Sequence, residues 1–395
     1  MQTVYSLRHH RHHARAELID GTMQPPHERP ERAEWVLAAV EAADLGPVIA
    51  PTEHGLEPLA RVHDERFLAF LGEAWSEWVA EHGPATDALG LAWPTRRFAQ
   101  REPEAIDGRL SYFSFDAGSP IMAGTAEAVF ASADVALTGA DLLLDGHPHV
   151  FSLCRPPGHH AARDLYGGYC FVNNAAAAAQ ALHDGGMDRV AIVDVDYHHG
   201  NGTQDIFWDR GDVFVTSLHG DPRQEYPYFA GYADERGEGP GEDANANFPL
   251  PWGTGARRWF EALDAALGRV RAFAPDAVVV SLGVDTFRDD PISRFELDGD
   301  DYPVLGARLA DLGLPTLVVL EGGYAVDAIG TNVAGVLGGL VGIDHGSGGD
   351  DGPDGDGGPE GGGRSVQAQA VAEQVPPRAV DPQGAAGDPE PARDA

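Results

Sequence analysis

The 395-residue chain has no lysine, only two cysteines and no long apolar run. Each shortage excludes a class of protein. All 27 basic residues are arginines, set against 62 acidic ones, and the formal net charge is −35. Recognition of duplex nucleic acid needs clustered basic side chains on the phosphates, so that function is excluded. Two cysteines cannot build a disulfide framework; Cys154 and Cys170 stand in apolar segments and read as reduced thiols. No apolar stretch reaches the roughly 18 residues that a membrane-spanning helix requires. The N-terminal MQTVYSLRHHRHHARAELIDG carries basic residues but no apolar segment or small-residue cleavage site, so a cytoplasmic location is expected. The acidity has two readings. It either steers cationic substrates toward the surface or keeps the protein soluble in a salty interior, and the second suffices for the overall charge.

A hydrophobic fraction of 43% is ample for a packed core. Residues 1–343 read as one continuous unit without internal repeats, and from Asp344 the composition shifts to Gly, Pro, Asp and Ala. Such a segment cannot bury enough apolar surface to offset its ordering entropy, so residues 344–395 are expected to be a disordered acidic tail. Within the first part, Val/Ile/Leu-rich runs predict strands at His149–Leu153, Val190–Val195, Val213–Leu218, Ala277–Leu282 and Thr316–Leu320. Helical patterns alternate with them at Arg32–Ala43, Glu65–Val79, Thr125–Leu144, Ala175–His183, Arg257–Phe273 and Asn332–Leu340. Alternation of this kind predicts an α/β domain with a mostly parallel sheet covered by helices on both faces.

Ligands of open α/β sheets bind beyond the carboxyl ends of the strands. Polar residues suited to chemistry collect there: His159 and His160 in CRPPGHH, Asp194, Asp196 and His198 in VDVDYHH, Ser217 and His219 in SLHGDP, Asp285 in SLGVDTF, and Tyr324 in EGGY. Asp196 and His198 stand at i and i+2 where a strand ends, so their side chains can converge, and Asp285 is the best third ligand. Two carboxylates and one imidazole suit a divalent cation with positions left for water and substrate; zinc fits, and Fe(II) or Co(II) is tolerated. A dinuclear, arginase-like site would need a second carboxylate in each motif. Gly200 and Gly283 stand in those places, which points to a single ion. Strand-end aspartates often do no more than cap turns, but that reading is weak for Asp196 and His198 together.

PPGHHA, GGYCFVNNAA, VDVDYHHGNGTQDIF, SLHGDP, SLGVDTFRDDPIS and EGGY together resemble the acetylpolyamine amidohydrolases, relatives of the histone deacetylases, over about Val4 to Gly342. The resemblance implies a single arginase-like domain with an eight-stranded, mostly parallel sheet. It implies zinc on Asp196, His198 and Asp285, a tandem active-site pair in His159 and His160, a transition-state tyrosine in Tyr324, and Asp194 behind His159. A potassium-like ion is implied at the carbonyls of Asp194, Asp196 and His198 with Ser217 and Leu218. Tyr169 and Tyr226 resemble tunnel walls and Ile292 part of the rim. Asn201 stands where many histone deacetylases have an aspartate, as it does in the acetylpolyamine enzymes. The implied activity is release of acetate from acetylputrescine, acetylcadaverine or acetylspermidine. An acetyl-lysine protein deacetylase is the alternative, and a catalytically silent binding protein a third reading, opposed by the intact ligand set.

Weaker signals remain. His9, His10, His12 and His13 could bind metal but read better as a basic surface loop. Cys170 reads as a packed thiol, since no activating base is evident. The stretch Pro84–Ser119, with Arg96, Arg97 and Arg101, falls where the family pairs two subunits, which implies a homodimer with a narrowed mouth. Asp107 and Asp116 lie in it and could meet the distal ammonium of a polyamine.

Overall fold

The computed structural model describes residues 1–19 and 21–343, so the expected disorder of 344–395 lies outside the described residues. In chain order the elements are β1 (Gln2–Val4), β2 (Glu17–Ile19), β3 (Thr22–Gln24), α1 (Glu31–Ala42), β4 (Val48–Ile49), α2 (Glu65–His82), α3 (Ile106–Tyr112), α4 (Thr125–Leu144) and β5 (His149–Ser152). They continue with α5 (Asn174–Asp184), β6 (Val190–Asp194), α6 (Asn201–Phe207), β7 (Val213–Gly220), β8 (Asn245–Leu250), α7 (Ala256–Phe273), β9 (Ala277–Leu282), α8 (Asp301–Ala310), β10 (Thr316–Leu320) and α9 (Ile329–Leu340). One eight-stranded sheet runs β4-β1-β5-β10-β9-β6-β7-β8, parallel at every pairing, and the β2–β3 hairpin stands apart as an antiparallel pair.

Successive strand residues point to opposite faces, and both faces are buried. Val190 and Ile192 of β6 pack into one apolar cluster with α2, α4 and α5. Ala191 and Val193 pack into another with α1, α7, α8 and α9, around the fully buried Trp259. The sequence pattern misses the sheet's edges for physical reasons. Strands β1 and β4 are two or three residues long. The edge strand β8 reads NANFPL, whose Asn and Pro residues disguise it.

Topology places the site. From β6 the chain moves outward through β7 and β8, then returns to β9 on the other side of β6. The crevice at such a reversal is the natural binding place. The ends of β5, β10, β9 and β6 are neighbours in the sheet, and the loops after them carry the polar residues singled out above.

A buried ionic cluster fixes two of those loops to the N-terminal segment. Arg155 grips Glu28 through two hydrogen bonds of 2.8 and 2.9 Å and donates to the His9 and His12 carbonyls. Arg32 donates to Glu28 and to the carbonyls of Glu321 and Gly323. This corrects the reading of the histidine-rich stretch as a surface loop. His9 and His12 are buried, bonded to Tyr5 and to Thr125, while His10 and His13 are exposed. Burial holds His9 neutral at about 3 and His12 at about 4.

His63 works in the same way beside the histidine-bearing loop. Its Nδ1–H donates to the Ala162 carbonyl at 2.9 Å, and its Nε2 accepts from the Asn173 N–H at 2.9 Å. Burial lowers its pKa from 6.5 to about 4. Above pH 6.5 the ring is neutral folded or unfolded, and its burial carries no protonation penalty. Below it the unfolded chain takes up a proton that the folded chain refuses until about pH 4, so stability is lost across that window, on the order of 3 kcal/mol in full. The stability advantage of the wild type over His63→Gln is therefore expected to shrink between pH 7.5 and pH 5 in urea titrations. A pH-independent difference would contradict the assignment.

Candidate active site

The site is built from loops that leave four adjacent strands. After β6, Asp196 and His198 are turned inward, and the Asp196 carboxylate accepts the His198 N–H at 2.9 Å. After β9, Asp285 reaches them: its Oδ2 lies 3.0 Å from His198 Nδ1, and its Oδ1 accepts the Tyr197 N–H at 2.8 Å. One donor atom from each of the three residues lies within 4.8 Å of the others, and all three are buried. Burial and the neighbouring Asp196 push Asp285 up to about 8. Asp196 is pulled low despite its burial, by His159 and His198. Burial opposes the charging of His198, but its bonds to both carboxylates raise it well above the usual range. Two carboxylates pressed on one imidazole in a dry pocket call for a cation, and two carboxylate oxygens with one imidazole nitrogen are a fitting donor set for a divalent ion.

The tandem histidines follow β5. His159 Nδ1 meets Asp194 Oδ2 at 3.0 Å, and His160 Nδ1 meets Asn201 Oδ1 at 2.7 Å. Their ring centres lie 4.0 Å apart, the planes tilted by 41°, yet the two have opposite tendencies. Burial opposes the charging of His159, but Asp196 and Asp194 outweigh it and raise the ring to about 10. Burial, His159 and His198 hold His160 well below 6.5. Charge is thus favoured on His159 and disfavoured on His160, an arrangement suited to acid–base work. An amide at Asn201 agrees with this, because it accepts the Nδ1 proton without favouring a second charge and leaves Nε2 as a lone pair. Tyr324, after β10, is held by a hydrogen bond of 2.7 Å from its N–H to Asp290 and by the Arg32 guanidinium 4.6 Å from its ring centre. Burial raises its hydroxyl well above 10, so it stays a donor.

These groups floor a cavity of about 700 Å³. His159, His160, Asp196, His198 and Tyr324 line it, with Tyr169, Tyr226 and Ile292 on its walls. Gly168 and Tyr169 both have left-handed backbones, φ 56° and 66°, held by Asp116 and Ser119 through their N–H groups at 2.9 and 2.8 Å. Tyr169 is thereby set against Tyr324, ring centres 5.6 Å apart.

Two expectations need correction. Asp116 lines the cavity but does not offer a free carboxylate at its mouth. One of its oxygens accepts from Gly118, and the other from Gly168 and from the Tyr226 hydroxyl at 2.5 Å. Asp107 is exposed on α3, which lies within the Pro84–Ser119 stretch; its carboxylate meets His82 at 3.0 Å and lines no part of the cavity. Ser217 lies opposite Asp194 in the β6–β7 register, with Leu218 next to it in the chain. Cys170 is buried and donates to the Gly168 carbonyl, and burial raises its thiol.

Sequence reasoning missed Asp290, whose two oxygens accept from Ile292 and Tyr324, and Glu321, whose carboxylate binds the histidine turn. Both lie inside the motifs quoted above, so their position in the motif was the available signal. It also missed Leu18, Ile19, Gln24 and His27 from the β2–β3 hairpin region, and Glu225, Trp252 and Arg294, all on the cavity wall.

Residues 26–340 match the sequence profile of the histone deacetylase domain. Acetylpolyamine amidohydrolase 2 of Pseudomonas aeruginosa is 58% identical over 343 residues, which cover 87% of this chain and 99% of that protein. The acetylpolyamine amidohydrolase of Mycoplana ramosa is 51% identical over 342 residues, 87% of this chain and 100% of that protein. The crystal structure of acetylpolyamine aminohydrolase from Burkholderia pseudomallei superposes with a TM-score of 0.83 at 40% identity, covering 87% of this chain and 99% of that one. The chain belongs to the histone deacetylase family and is a metal-dependent hydrolytic deacetylase. Among its described residues, no helix is long and apolar enough to cross a membrane.

The glycines that distinguish this site from a dinuclear one are also sterically required. A Cβ at Gly200 would overlap the Asp194 carboxylate, and one at Gly283 would overlap that of Asp196. Elemental analysis is therefore expected to find one tightly held divalent ion per chain, and Gly283→Asp is expected to lose it rather than gain a second. Two tightly bound ions in the wild type would overturn the mononuclear account.

Proposed function

We propose that the chain is a zinc enzyme that hydrolyses acetylated polyamines or diamines to acetate and the free amine. The observation that carries the reading is the convergence of the His159–His160 pair, Asp196, His198 and Tyr324 on the floor of one aromatic-walled cavity, with Asp285 completing the Asp196–His198–Asp285 trio just behind it. Asp196, His198 and Asp285 would hold the ion, with Fe(II) or Co(II) as possible substitutes for zinc. When bound, the ion polarises the acetamide carbonyl and acidifies a water molecule.

The chain's own residues do the rest. Nε2 of His160 takes a proton from the attacking water and returns it to the leaving amine nitrogen as the C–N bond breaks. His159, anchored on Asp194, stays charged and stabilises the negative charge that develops nearby. The Tyr324 hydroxyl donates to the oxygen on which that charge grows. Tyr169 and Tyr226 flank the methylene chain of the amine, and Ile292 forms part of the rim. A potassium ion at the carbonyls of Asp194, Asp196 and His198, with Ser217 and Leu218, would stiffen the segment that presents the zinc ligands.

The substrate assignment is supported by relatives that are matched over 99% and 100% of their own length and are named for acetylpolyamines. A slim amine also suits a cavity walled by Tyr169, Tyr226, Tyr228 and Trp252, with Glu225 on the same wall and, among the described residues, Arg294 as its one arginine. Asp116 contributes by holding Tyr226 and the Gly168 turn. We place the enzyme in the cytoplasm as a homodimer. Exposed apolar side chains, Leu91, Phe98 and Phe229, support the pairing, with Arg96 lying over Phe229.

Rates on acetylputrescine, acetylcadaverine and acetylspermidine are expected to exceed those on an acetyl-lysine peptide by at least an order of magnitude. His160→Ala is expected to abolish most turnover with metal content intact, and Tyr324→Phe to lower kcat by about 10²–10³-fold. Near wild-type rates in both variants would refute the assigned roles; preference for acetyl-lysine in folded proteins would refute the substrate.

A further inference from the structure

The turn that presents His159 and His160 begins with Pro156 and Pro157, which have no N–H to anchor it. Its first available donors are the N–H groups of Gly158 and His159. Both converge on a single oxygen, Oε2 of Glu321, at 2.6 and 3.1 Å, from a strand end more than 160 residues away in the chain. Glu321 is itself fully buried, and its backbone is held from both sides: its N–H donates to the Leu282 carbonyl at 2.9 Å and its carbonyl accepts from Arg32 at 2.7 Å. On the far side of the turn, the His159 carbonyl accepts the N–H groups of Gly202 and Thr203, each at 3.1 Å. The peptide before His159 is therefore clamped from one direction and the peptide after it from the other. Gly158 lies close against the start of α5, where a Cβ would come within 2.5 Å of the Asn174 nitrogen, so only glycine fits.

The clamp is expensive. Oε1 of Glu321 is buried without any hydrogen-bond partner among the described residues. A buried carboxyl group that no protein group fully satisfies destabilises the fold, and burial pushes Glu321 up to about 7, so packing alone does not account for it.

We infer that Glu321 is a positioning residue for hydrolysis: by accepting the Gly158 and His159 N–H groups it sets the direction in which His159 and His160 enter the cavity. It touches neither substrate nor the metal ligands' side chains and acts through the turn. Displacement of a catalytic group by about 1 Å costs on the order of 10²-fold in rate. The inference rests on the reading that His160 moves the proton, and the experiment keeps the two separable.

Three variants test it, with His160→Ala alongside, and metal content and melting temperature recorded for each. Glu321→Ala removes the clamp. Glu321→Asp keeps the charge but is shorter by one methylene, about 1.5 Å, and cannot reach both N–H groups. Glu321→Gln gives up the charge but keeps an acceptor oxygen at full reach. The expected order of kcat is wild type, then Gln within about 10-fold, then Asp and Ala lower by about 10²-fold, with KM within about threefold and one ion per chain throughout. Asp equal to or better than Gln would overturn the inference, because charge and not reach would then be what matters. Ala within threefold of wild type, or a loss confined to KM, would also overturn it. If Ala fails to fold, the Asp–Gln order alone decides. A slow His160→Ala with the wrong Asp–Gln order sinks only this inference, whereas a fast His160→Ala sinks the proton-transfer reading and this inference with it.

Discussion

Two carboxylates and an imidazole packed together out of water repel and misprotonate one another unless a cation sits among them. Much of this molecule answers to that demand. The parallel sheet brings the ends of β6 and β9 side by side, which is the only reason Asp285 can reach His198 at 3.0 Å across 87 residues of chain. The surrounding backbone gives way to the carboxylates. Glycine at 200 and 283 leaves the room that Asp194 and Asp196 need. Gly322 approaches so closely that its N–H bonds Asp196 at 2.8 Å, and a Cβ there would lie within 2.8 Å of both Asp196 and Asp285. Backbone N–H groups of Tyr197, His198 and Gly322 supply hydrogen bonds that fix the carboxylates before any ion arrives.

Outside that centre lies a shell of buried charge that does no chemistry. Glu28 joins Arg155 and Arg32, and through them the N-terminal segment, the histidine turn and the EGGY turn become one rigid body. Asp194, Asn201, Asp290 and Glu321 each hold one functional group by a single specific bond or pair of bonds. These supports lie outside the Asp196–His198–Asp285 trio, so removing one is expected to move the group it holds and leave the trio in place.

Legibility in the sequence followed the physics of each part. Strands β9 and β10 and helix α4 have the ends expected of them, since a strand buried on both faces must be a nearly unbroken run of Val, Ile and Leu. The polar residues at those strand ends were equally visible, because nothing else in the chain concentrates Asp and His in that way. Asp116 shows the limit. A loop carboxylate looks the same in sequence whether it faces solvent, an ammonium or, as here, a tyrosine hydroxyl and two amides. His9 and His12 were misread for the same reason, since burial of a basic-looking segment is decided by Glu28 and Arg155 from elsewhere in the chain. The role of Glu321 depends on two backbone N–H groups, which leave no trace in residue type.

The central claim is a single ion held by two carboxylates and one imidazole, and X-ray absorption at the metal edge of the purified enzyme tests it most directly. The predicted spectrum shows a first shell of oxygen and nitrogen at about 2.0–2.2 Å with outer scattering from one imidazole. A sulfur shell near about 2.3 Å, or a second metal at about 3.5–4 Å, would contradict the account.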